Sequence, residues 1–584
     1  MEFDETTQKN VDTWLNGDFD QDSKDEIRRL IKHDPQQVID AFYTRMAFGT
    51  GGLRGLMGPG TNRMNQYTVA AATQGLSNYI NQKTSEKPHS VLIGHDSRNN
   101  SPYFSEVAAR VFAANNIRVY IYKEMRPVPM VSFGCRHQKC TSAIMITASH
   151  NPPQYNGYKV YWNDGAQVLP PHDDGIIKEV YNITDPKQIK SLPDMNSELI
   201  HYIDDRLDHV YLDTVRALQQ FPDDNKLKGE RLKVIYTALH GSGITMVPKI
   251  IKDWGFSSLS LVEKQAIPDG NFPTVEKPNP EEEKAMKMGM NQLLDKKADI
   301  LLGTDPDCDR IGVAVLHQCK AALLTGNEMA CICIHHLCEA LQASGKMPKN
   351  AAFIKTIVTS ELFKTIAESY KKTCFDVLTG FKYIGQLIYQ WNQSKPATYQ
   401  YIFGGEESYG YLLGTHSRDK DAIIMSSLIC EIALQAKLQG KTLIDVLHEI
   451  YKKHGIYREK LISVVYPDSK ETKDNIKKMM ESIRSNPPKS FAGIAVQSFE
   501  DYQTSKKVDL VSGKEQPITL PKSNVLLFWL EDGSKLVIRP SGTEPKVKIY
   551  CGVVDQEEKD IEKGIQTLDE KIKQLTDELK KVLS

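Results

Sequence analysis

Three short apolar segments, far apart along the chain, each end directly in a polar loop. The first, residues 144–146, leads into Thr-Ala-Ser-His-Asn-Pro-Pro at 147–153. The second ends at residue 302 before an aspartate-rich loop, and the third ends at residue 403 before Gly-Gly-Glu-Glu-Ser. A short apolar run that stops at a turn indicates a buried strand, and ligands collect at the carboxyl ends of such strands in α/β sheets. Because helical patterns alternate with these strands, the sequence predicts repeated α/β units with mostly parallel sheets.

The chain is long enough for several domains. Its 584 residues correspond to roughly three to five domains of ordinary size. Three α/β blocks are followed, after about residue 465, by lysine-rich helical stretches around a predicted hairpin, which is typical of a smaller α+β domain. We predict domain 1 at 1–210, domain 2 at 211–330, domain 3 at 331–462 and domain 4 at 463–584.

Composition argues against several classes of protein. The net charge is −1, which predicts neither a broad nucleic-acid surface nor a membrane surface. The ten cysteines are scattered and show no disulfide framework. Cys331, His335 and Cys338 share a helical face that is compatible with zinc, but a core helix is the favoured interpretation. The acidic N-terminus is not a signal peptide and no apolar run approaches ~18 residues, so we expect a cytoplasmic protein.

The first loop offers a nucleophile with charged neighbours. Ser149 and His150 are adjacent, and Lys159 follows ten residues after Ser149. Such a set suits a nucleophile with proton-transfer and charge-stabilising partners, although a plain turn is the favoured interpretation of these residues alone. Arg54 lies in a glycine-rich stretch, 48–55, that matches neither the P-loop nor the dinucleotide fingerprint. That stretch is either a mobile turn or a close approach to an anion, with Arg54 as a fork for phosphate.

The second loop predicts a metal site. Asp305, Asp307 and Asp309 occupy alternate positions and can converge on one hard cation, for which Mg²⁺ is the natural choice. A calcium EF-hand is excluded, because Arg310 and Leu316 stand where that loop needs glycine and glutamate. An acidic surface turn is the alternative. Three aspartates directly after an apolar strand would, however, repel one another without a counter-ion.

Two further loops could hold a sugar phosphate. Glu406 and Ser408 lie among glycines and suit a ligand with several hydroxyl groups, or else form a solvated turn. Arg-Pro-Ser-Gly-Thr-Glu-Pro at 539–545 offers a guanidinium, hydroxyls and backbone N–H groups, a set that fits a phosphate or forms an ordinary turn. Together the loops outline a phosphoryl-transfer site, which needs positioning and charge neutralisation more than covalent chemistry.

These loops, in this order, resemble the signature loops of the α-D-phosphohexomutases. The matching stretches are Thr-Ala-Ser-His-Asn-Pro (147–152), Asp-Pro-Asp-Cys-Asp-Arg (305–310), Gly-Glu-Glu-Ser (405–408) and Arg-Pro-Ser-Gly-Thr-Glu-Pro (539–545). Residues 48–55, 57–65 and 155–162 are similar to the phosphoglucomutase-2/phosphopentomutase branch of this family. A glucose-1,6-bisphosphate synthase relative has similar stretches.

The resemblance implies a fold and a reaction. The fold would be α/β, with three related α/β domains with mixed sheets plus a C-terminal α+β domain around a central cleft. The reaction would interconvert glucose 1-phosphate and glucose 6-phosphate and/or ribose 1-phosphate and ribose 5-phosphate. It would proceed through a phosphoserine enzyme and a bisphosphorylated sugar, with Mg²⁺ as cofactor and glucose 1,6-bisphosphate as activator. A glucose-1,6-bisphosphate synthase that uses a phosphoryl donor is the alternative, and a non-catalytic sugar-phosphate sensor is a third hypothesis.

The resemblance also implies residue roles and partners. Ser149 would carry the phosphoryl group and complete a Mg²⁺ shell with the three aspartates, while Arg54, His150 and Lys159 flank it and either His150 or Lys159 handles the hydroxyl proton. The predicted substrate-binding residues are Thr379, Gly380, Lys382, Glu406, Ser408, Arg310, Arg539, Ser541, Gly542, Thr543 and Lys548. The partners would be small sugar phosphates, with no nucleic acid or membrane, and the protein would be a monomer or weak homodimer.

Overall fold

A computed structural model describes residues 3–48, 51–84, 88–466, 470–541 and 546–582. The helices are α1 Glu5–Asn16, α2 Gln21–His33, α3 Pro35–Phe42, α4 Gln66–Lys83, α5 Ser101–Ala114, α6 Val128–His137, α7 His172–Asn182, α8 Arg206–Arg216, α9 Pro222–Lys228, α10 Val247–Asp253, α11 Glu263–Ala266, α12 Glu283–Asp295, α13 Gly326–Ala343, α14 Glu361–Ser369, α15 Phe381–Gln393, α16 Ala422–Leu438, α17 Leu443–His454, α18 Lys470–Ser485 and α19 Ile561–Val582.

The strands alternate with these helices over most of the chain. They are β1 Gly52–Leu56, β2 Ser90–His95, β3 Arg118–Tyr122, β4 Ser142–Ile146, β5 Tyr155–Trp162, β6 Ile200–Ile203, β7 Val234–Thr237, β8 Leu259–Leu261, β9 Ile300–Thr304, β10 Ile311–His317, β11 Lys320–Leu324, β12 Ala351–Thr356, β13 Thr373–Val377, β14 Gln400–Gly405, β15 Tyr411–Leu413, β16 Ile456–Val465, β17 Ser490–Phe491, β18 Ile494–Asp501, β19 Lys506–Asp509, β20 Glu515–Pro517, β21 Leu526–Leu530, β22 Lys535–Pro540 and β23 Lys546–Asp555.

The chain forms two compact units. Unit 1 comprises Met1–Leu324, Ile384–Thr398 and Tyr409–Leu438, and unit 2 comprises Thr325–Tyr383, Tyr399–Ser408 and Gln439–Ser584. The predicted domain boundaries at 210, 330 and 462 stay predictions. No single helix among the described residues is long and apolar enough to cross a membrane; only α16 and α17, taken together as a bent pair, meet the length and composition criteria.

Unit 1 contains two mixed sheets. The first has the strand order β1-β5-β4-β2-β3-β6, and the second has the order β11-β10-β9-β7-β8. The strand pairs β2–β3, β2–β4, β7–β8 and β7–β9 are parallel. In both sheets, however, the strand that follows the signature loop runs antiparallel: β5 returns along β4, and β10 returns along β9. The mixed sheets that the resemblance implies are confirmed. Strand–helix alternation accounts for the parallel pairs but not for these two returning strands, which are antiparallel because a short polar loop can join only antiparallel neighbours.

Unit 2 contains a parallel α/β sheet and a large antiparallel sheet. Strand β12 pairs in parallel with β13 and with β14. The antiparallel sheet has the order β16-β23-β22-β21-β18-β19-β20, and its β21–β22 pair is the hairpin predicted near residue 532. Helix α13 buries Cys331, Cys333 and Cys338, as expected of a core helix.

A buried core fixes the strand ends in unit 1. Strands β2, β4 and β5 contribute Val91, Ile93, Ile144, Ile146 and Tyr158, all fully buried, to one hydrophobic cluster with α4 and α5. Because β4 is buried along its whole length, the polar loop that follows starts from a rigid support.

Candidate active site

Ser149 lies on a strained turn at the end of β4. Its φ of 54° places it in the left-handed region that side chains other than glycine seldom occupy. The Ser149 N–H donates to Thr147 Oγ1 at 2.8 Å, which closes the turn. Only 3% of Ser149 is exposed. The turn therefore holds the hydroxyl in one direction.

The aspartate loop is a similar turn at the end of β9. Cys308 also lies in the left-handed region, with φ of 54°, and its N–H donates to the carbonyl of Asp305 at 2.9 Å. The Asp305 carboxylate accepts the backbone N–H groups of Asp309 at 3.1 Å and Arg310 at 3.0 Å. As a result, one oxygen from each of Asp305, Asp307 and Asp309 lies within 4.8 Å of the others, in a buried position.

The two turns meet at Ser149. Its hydroxyl donates to Asp305 Oδ2 at 2.8 Å and lies 3.1 Å from His150 Nδ1. The predicted nucleophile, imidazole and carboxylates are thus brought together within unit 1, although separate α/β blocks supply them.

Two ammonium groups face the outer aspartate oxygens. Lys159, on β5, donates to Asp307 Oδ2 at 2.8 Å and to Asp309 Oδ2 at 3.1 Å. Lys420 lies 3.2 Å from the same oxygen of Asp309 and donates to Asp419 at 3.1 Å. Sequence reasoning missed Lys420, and the run Arg-Asp-Lys-Asp at 418–421 was the available signal.

Burial and charged neighbours together shift the pKa values of Asp305, Asp309 and His150. Burial, followed by repulsion from Asp307 and Asp309, raises the pKa of Asp305 well above its usual range. Burial also raises the pKa of Asp309, but Lys159, Lys420 and Arg310 outweigh it and leave this pKa below its usual range. Burial and the nearby Arg310 and Arg54 lower the pKa of His150 well below its usual range, which favours a neutral imidazole.

The residues present fit a divalent cation. Asp307 Oδ1 and Asp309 Oδ1 are buried and, within the described part of the chain, accept no hydrogen bond. Buried carboxylate oxygens are costly without a partner, and oxygen-only donor sets are those that Mg²⁺ prefers. The aspartate cluster therefore has the geometry of a metal site and two buried oxygens that a metal ion would pair with.

The other predicted residues divide between the units. Arg54, on β1, is in register with Gly157 of β5, and Arg310 forms an ion pair with Glu281, both in unit 1. In unit 2, the Gly380 N–H donates to Glu406 Oε1 at 2.9 Å, so two of the predicted sugar loops touch.

The phosphate loop of unit 2 is described only in part. Arg539 on β22 and Lys548 on β23 are register partners, which brings these two cations to neighbouring strands. Ser541 donates its N–H to the carbonyl of Lys546 at 2.8 Å. Gly542 and Thr543 lie outside the described residues. Thr379, Lys382 and Ser408 also belong to unit 2.

Four family models match the chain in order. They are described as phosphoglucomutase/phosphomannomutase alpha/beta/alpha domain I at residues 45–187, domain II at 209–318, domain III at 325–454, and the C-terminal domain at 487–563. The chain belongs to the α-D-phosphohexomutase superfamily. The models confirm the predicted family and its four-domain architecture.

Relatives agree with this assignment of the phosphohexomutase, and solved structures share its fold. A phosphoglucomutase of Staphylococcus haemolyticus is 36% identical over 88% of this chain and 91% of its own, and one of Staphylococcus aureus is 35% identical over 90% and 93%. The structure of parafusin, a phosphoglucomutase from Paramecium in an open form, has a TM-score of 0.64 at 16% identity, covering 91% of this chain and 96% of that one. A phosphoglucomutase/phosphomannomutase family protein from Burkholderia thailandensis gives 0.65 at 16% identity, covering 92% and 96%.

Proposed function

We propose that this phosphohexomutase is a sugar phosphomutase that uses Ser149 as its phosphoryl carrier. It would interconvert glucose 1-phosphate with glucose 6-phosphate, and/or ribose 1-phosphate with ribose 5-phosphate. The observation that carries the proposal is the hydrogen bond of 2.8 Å from Ser149 Oγ to Asp305 within the aspartate cluster. An oxygen held against carboxylates suits a phosphoryl group only when cations neutralise the charge, and Lys159, Lys420 and the metal site supply that neutralisation.

The reaction consists of two mirrored transfers. In the first transfer, a sugar hydroxyl oxygen bonds to phosphorus as the bond between phosphorus and Ser149 Oγ breaks. The sugar hydroxyl loses one proton and Ser149 Oγ gains one. In the second, the other phosphate of the bisphosphorylated sugar returns to Ser149, which gives up that proton again. His150 Nδ1, 3.1 Å from the hydroxyl, is the group placed to exchange it, whereas the Lys159 ammonium is bound to two aspartates.

Asp305, Asp307, Asp309 and Ser149 would hold Mg²⁺, which supplies charge neutralisation for the transferring phosphoryl oxygens. The chain's own residues do the remaining work: Arg54 and Arg310 add positive charge beside His150, and Lys159 fixes the outer aspartate oxygens.

The predicted residues of unit 2 would bind the sugar and its second phosphate. We propose that Thr379, Gly380, Lys382, Glu406 and Ser408 bind the sugar hydroxyls. The non-reacting phosphate would be held by Arg539, Ser541, Gly542, Thr543 and Lys548. Support comes from the Gly380–Glu406 contact and from the neighbouring positions of Arg539 and Lys548.

A substrate comparison tests the proposal. Purified protein, primed with a trace of glucose 1,6-bisphosphate, is assayed with glucose 1-phosphate and with ribose 1-phosphate, beside Ser149→Ala. We expect turnover of at least one substrate by the parent and none by the variant. Near-normal turnover by Ser149→Ala would contradict the phosphoserine mechanism. Product formed only when an acyl-phosphate donor is added would instead favour a bisphosphate synthase.

A further inference from the structure

A buried arginine, Arg98, donates hydrogen bonds to the backbone of the Ser149 loop. The side chain of Arg98, which follows β2, has no exposed surface. Its Nη2 donates to the carbonyl of Ser149 at 2.6 Å and to that of Asn151. Its Nη1 donates to the carbonyls of Pro152 at 2.9 Å and Tyr155 at 3.0 Å. One guanidinium therefore satisfies four carbonyl groups of a single loop.

Asp96 fixes this arginine and extends the network to the turn itself. Its carboxylate accepts the backbone N–H of Arg98 at 2.9 Å and lies 3.4 Å from Arg98 Nε in the side chain. It also accepts the Thr147 hydroxyl at 2.6 Å, and Thr147 Oγ1 in turn accepts the N–H of Ser149. The ring of Phe272 covers the guanidinium, with its centroid 5.0 Å away.

This arrangement decides which backbone groups face the aspartate cluster. The carbonyl oxygens, which carry partial negative charge, point toward Arg98, while the Ser149 hydroxyl points to Asp305. Without Arg98 the carbonyls of Ser149, Asn151 and Tyr155 would lose this donor, and that of Pro152 would keep only the Tyr155 N–H, so the loop would turn to satisfy them elsewhere. The left-handed conformation of Ser149 would then lose its support.

We propose that Arg98, held by Asp96, is a positioning residue for phosphoryl transfer at Ser149. The inference rests on the proposed function, because it requires Ser149 to carry the phosphoryl group. An arginine is needed at this position, since its planar fork offers five donors in fixed directions, whereas a lysine ammonium offers three around a point. Charge alone does not satisfy four carbonyls spread over residues 149–155.

The test compares Arg98→Met and Arg98→Lys with a matched control, Arg126→Met. Arg126 is also largely buried and ion-paired, with Asp208 at 3.0 Å, but among the described residues its side chain donates to Asp208 and to the Met125 carbonyl and not to the Ser149 loop. For each variant, kcat and KM for glucose 1-phosphate, the thermal midpoint, and the single-turnover rate of Ser149 phosphorylation by glucose 1,6-bisphosphate are measured.

We expect Arg98→Met to lower kcat and the single-turnover rate by about 100-fold with little change in KM, because a small misplacement of a reacting atom has an effect of that size. Arg98→Lys should fall between Arg98→Met and the parent. Arg126→Met should lose thermal stability and keep its single-turnover rate. A folded Arg98→Met with the parent rate, a loss confined to KM, or an equal rate loss in Arg126→Met would overturn the proposal.

A second variant covers the case in which Arg98→Met does not fold. Thr147→Val keeps the side-chain shape and removes the hydroxyl that joins Asp96 to the Ser149 N–H and also lies 3.2 Å from Asp307 Oδ2. Its single-turnover rate should also fall, and an unchanged rate would overturn the proposal. Ser149→Ala separates the two ideas: activity in Ser149→Ala contradicts the proposed function, whereas an inactive Ser149→Ala beside normal Arg98 and Thr147 variants contradicts only the positioning role.

Discussion

Ser149 Oγ and Asp305 Oδ2 are joined by a hydrogen bond of 2.8 Å although 156 positions separate the two residues in the chain. Each residue lies in the loop after a buried central strand: Ser149 is three residues beyond the end of β4, and Asp305 directly follows β9. The contact therefore depends on two separately folded sheets of unit 1. Its consequences for activity and stability can be measured.

Removal of divalent metal should abolish turnover. With EDTA the buried Asp307 Oδ1 and Asp309 Oδ1 lack the divalent cation that would pair with them, and the phosphoryl group loses a neutralising partner. Activity should return on addition of Mg²⁺, and Mg²⁺ should raise the thermal midpoint of the parent more than that of Asp307→Asn. Full turnover in EDTA, with no effect of Mg²⁺ on the midpoint, would contradict a metal site here.

Lys420→Met should lower kcat by about 100-fold, an effect of the size expected when one preorganised electrostatic group is removed from an active site. The reason is that Lys420 shares Asp309 with Lys159 and compensates the charge of the cluster. The control is Lys437→Met, which removes a partly exposed ion pair with Asp299 in the same unit. Steady-state kinetics give kcat for the parent and for both variants. A kcat for Lys420→Met equal to that for Lys437→Met would refute a role for Lys420.

Glu361→Gln should destabilise unit 2 by about 3 kcal/mol, the usual cost of removing one partner from a buried ion pair. Lys355 and Lys535 both donate to this carboxylate, and neither lysine side chain is more than 6% exposed. The exposed pair of Glu449 with Lys441 provides the control, since Glu449→Gln should cost less than about 1 kcal/mol. Denaturant unfolding of both variants gives the comparison, and equal losses would show that burial does not matter here.

Stability should fall between about pH 5 and pH 7 because of Glu459. Burial, with a smaller contribution from Glu328, raises the pKa of this glutamate from 4.5 to about 7. In that window the unfolded chain binds fewer protons at this position than the folded chain, so the free energy of unfolding decreases as pH rises and levels off once pH has passed through the folded pKa of about 7. Glu459→Gln should remove this slope. Thermal midpoints at pH 5 and pH 8 test it, and an identical pH dependence in parent and variant would count against the raised pKa.

The loops at strand ends were predictable because an apolar run and the polar residues after it are adjacent in sequence. Ser149, Asp305, Asp307 and Asp309 were singled out in that way, Arg54 and Lys159 were singled out as cations near the first loop or in a glycine-rich stretch, and the family resemblance supplied their roles. Lys420 and Arg98 were not assigned, because each acts on a loop from a distant segment and a single charged residue in sequence has no visible partner. Strand–helix alternation alone did not predict the antiparallel return strands β5 and β10, because strand direction depends on loop geometry rather than on composition; the mixed sheets came from the family resemblance.

The most direct test follows the phosphoryl group itself. The parent protein is mixed with ³²P-labelled glucose 1,6-bisphosphate, quenched at intervals and digested, and the labelled peptide is identified and chased with unlabelled glucose 1-phosphate. The account predicts label on Ser149 that leaves at least as fast as kcat and appears in the sugar bisphosphate and then in glucose 6-phosphate. Label on another residue, or label on Ser149 that leaves more slowly than turnover, would contradict it.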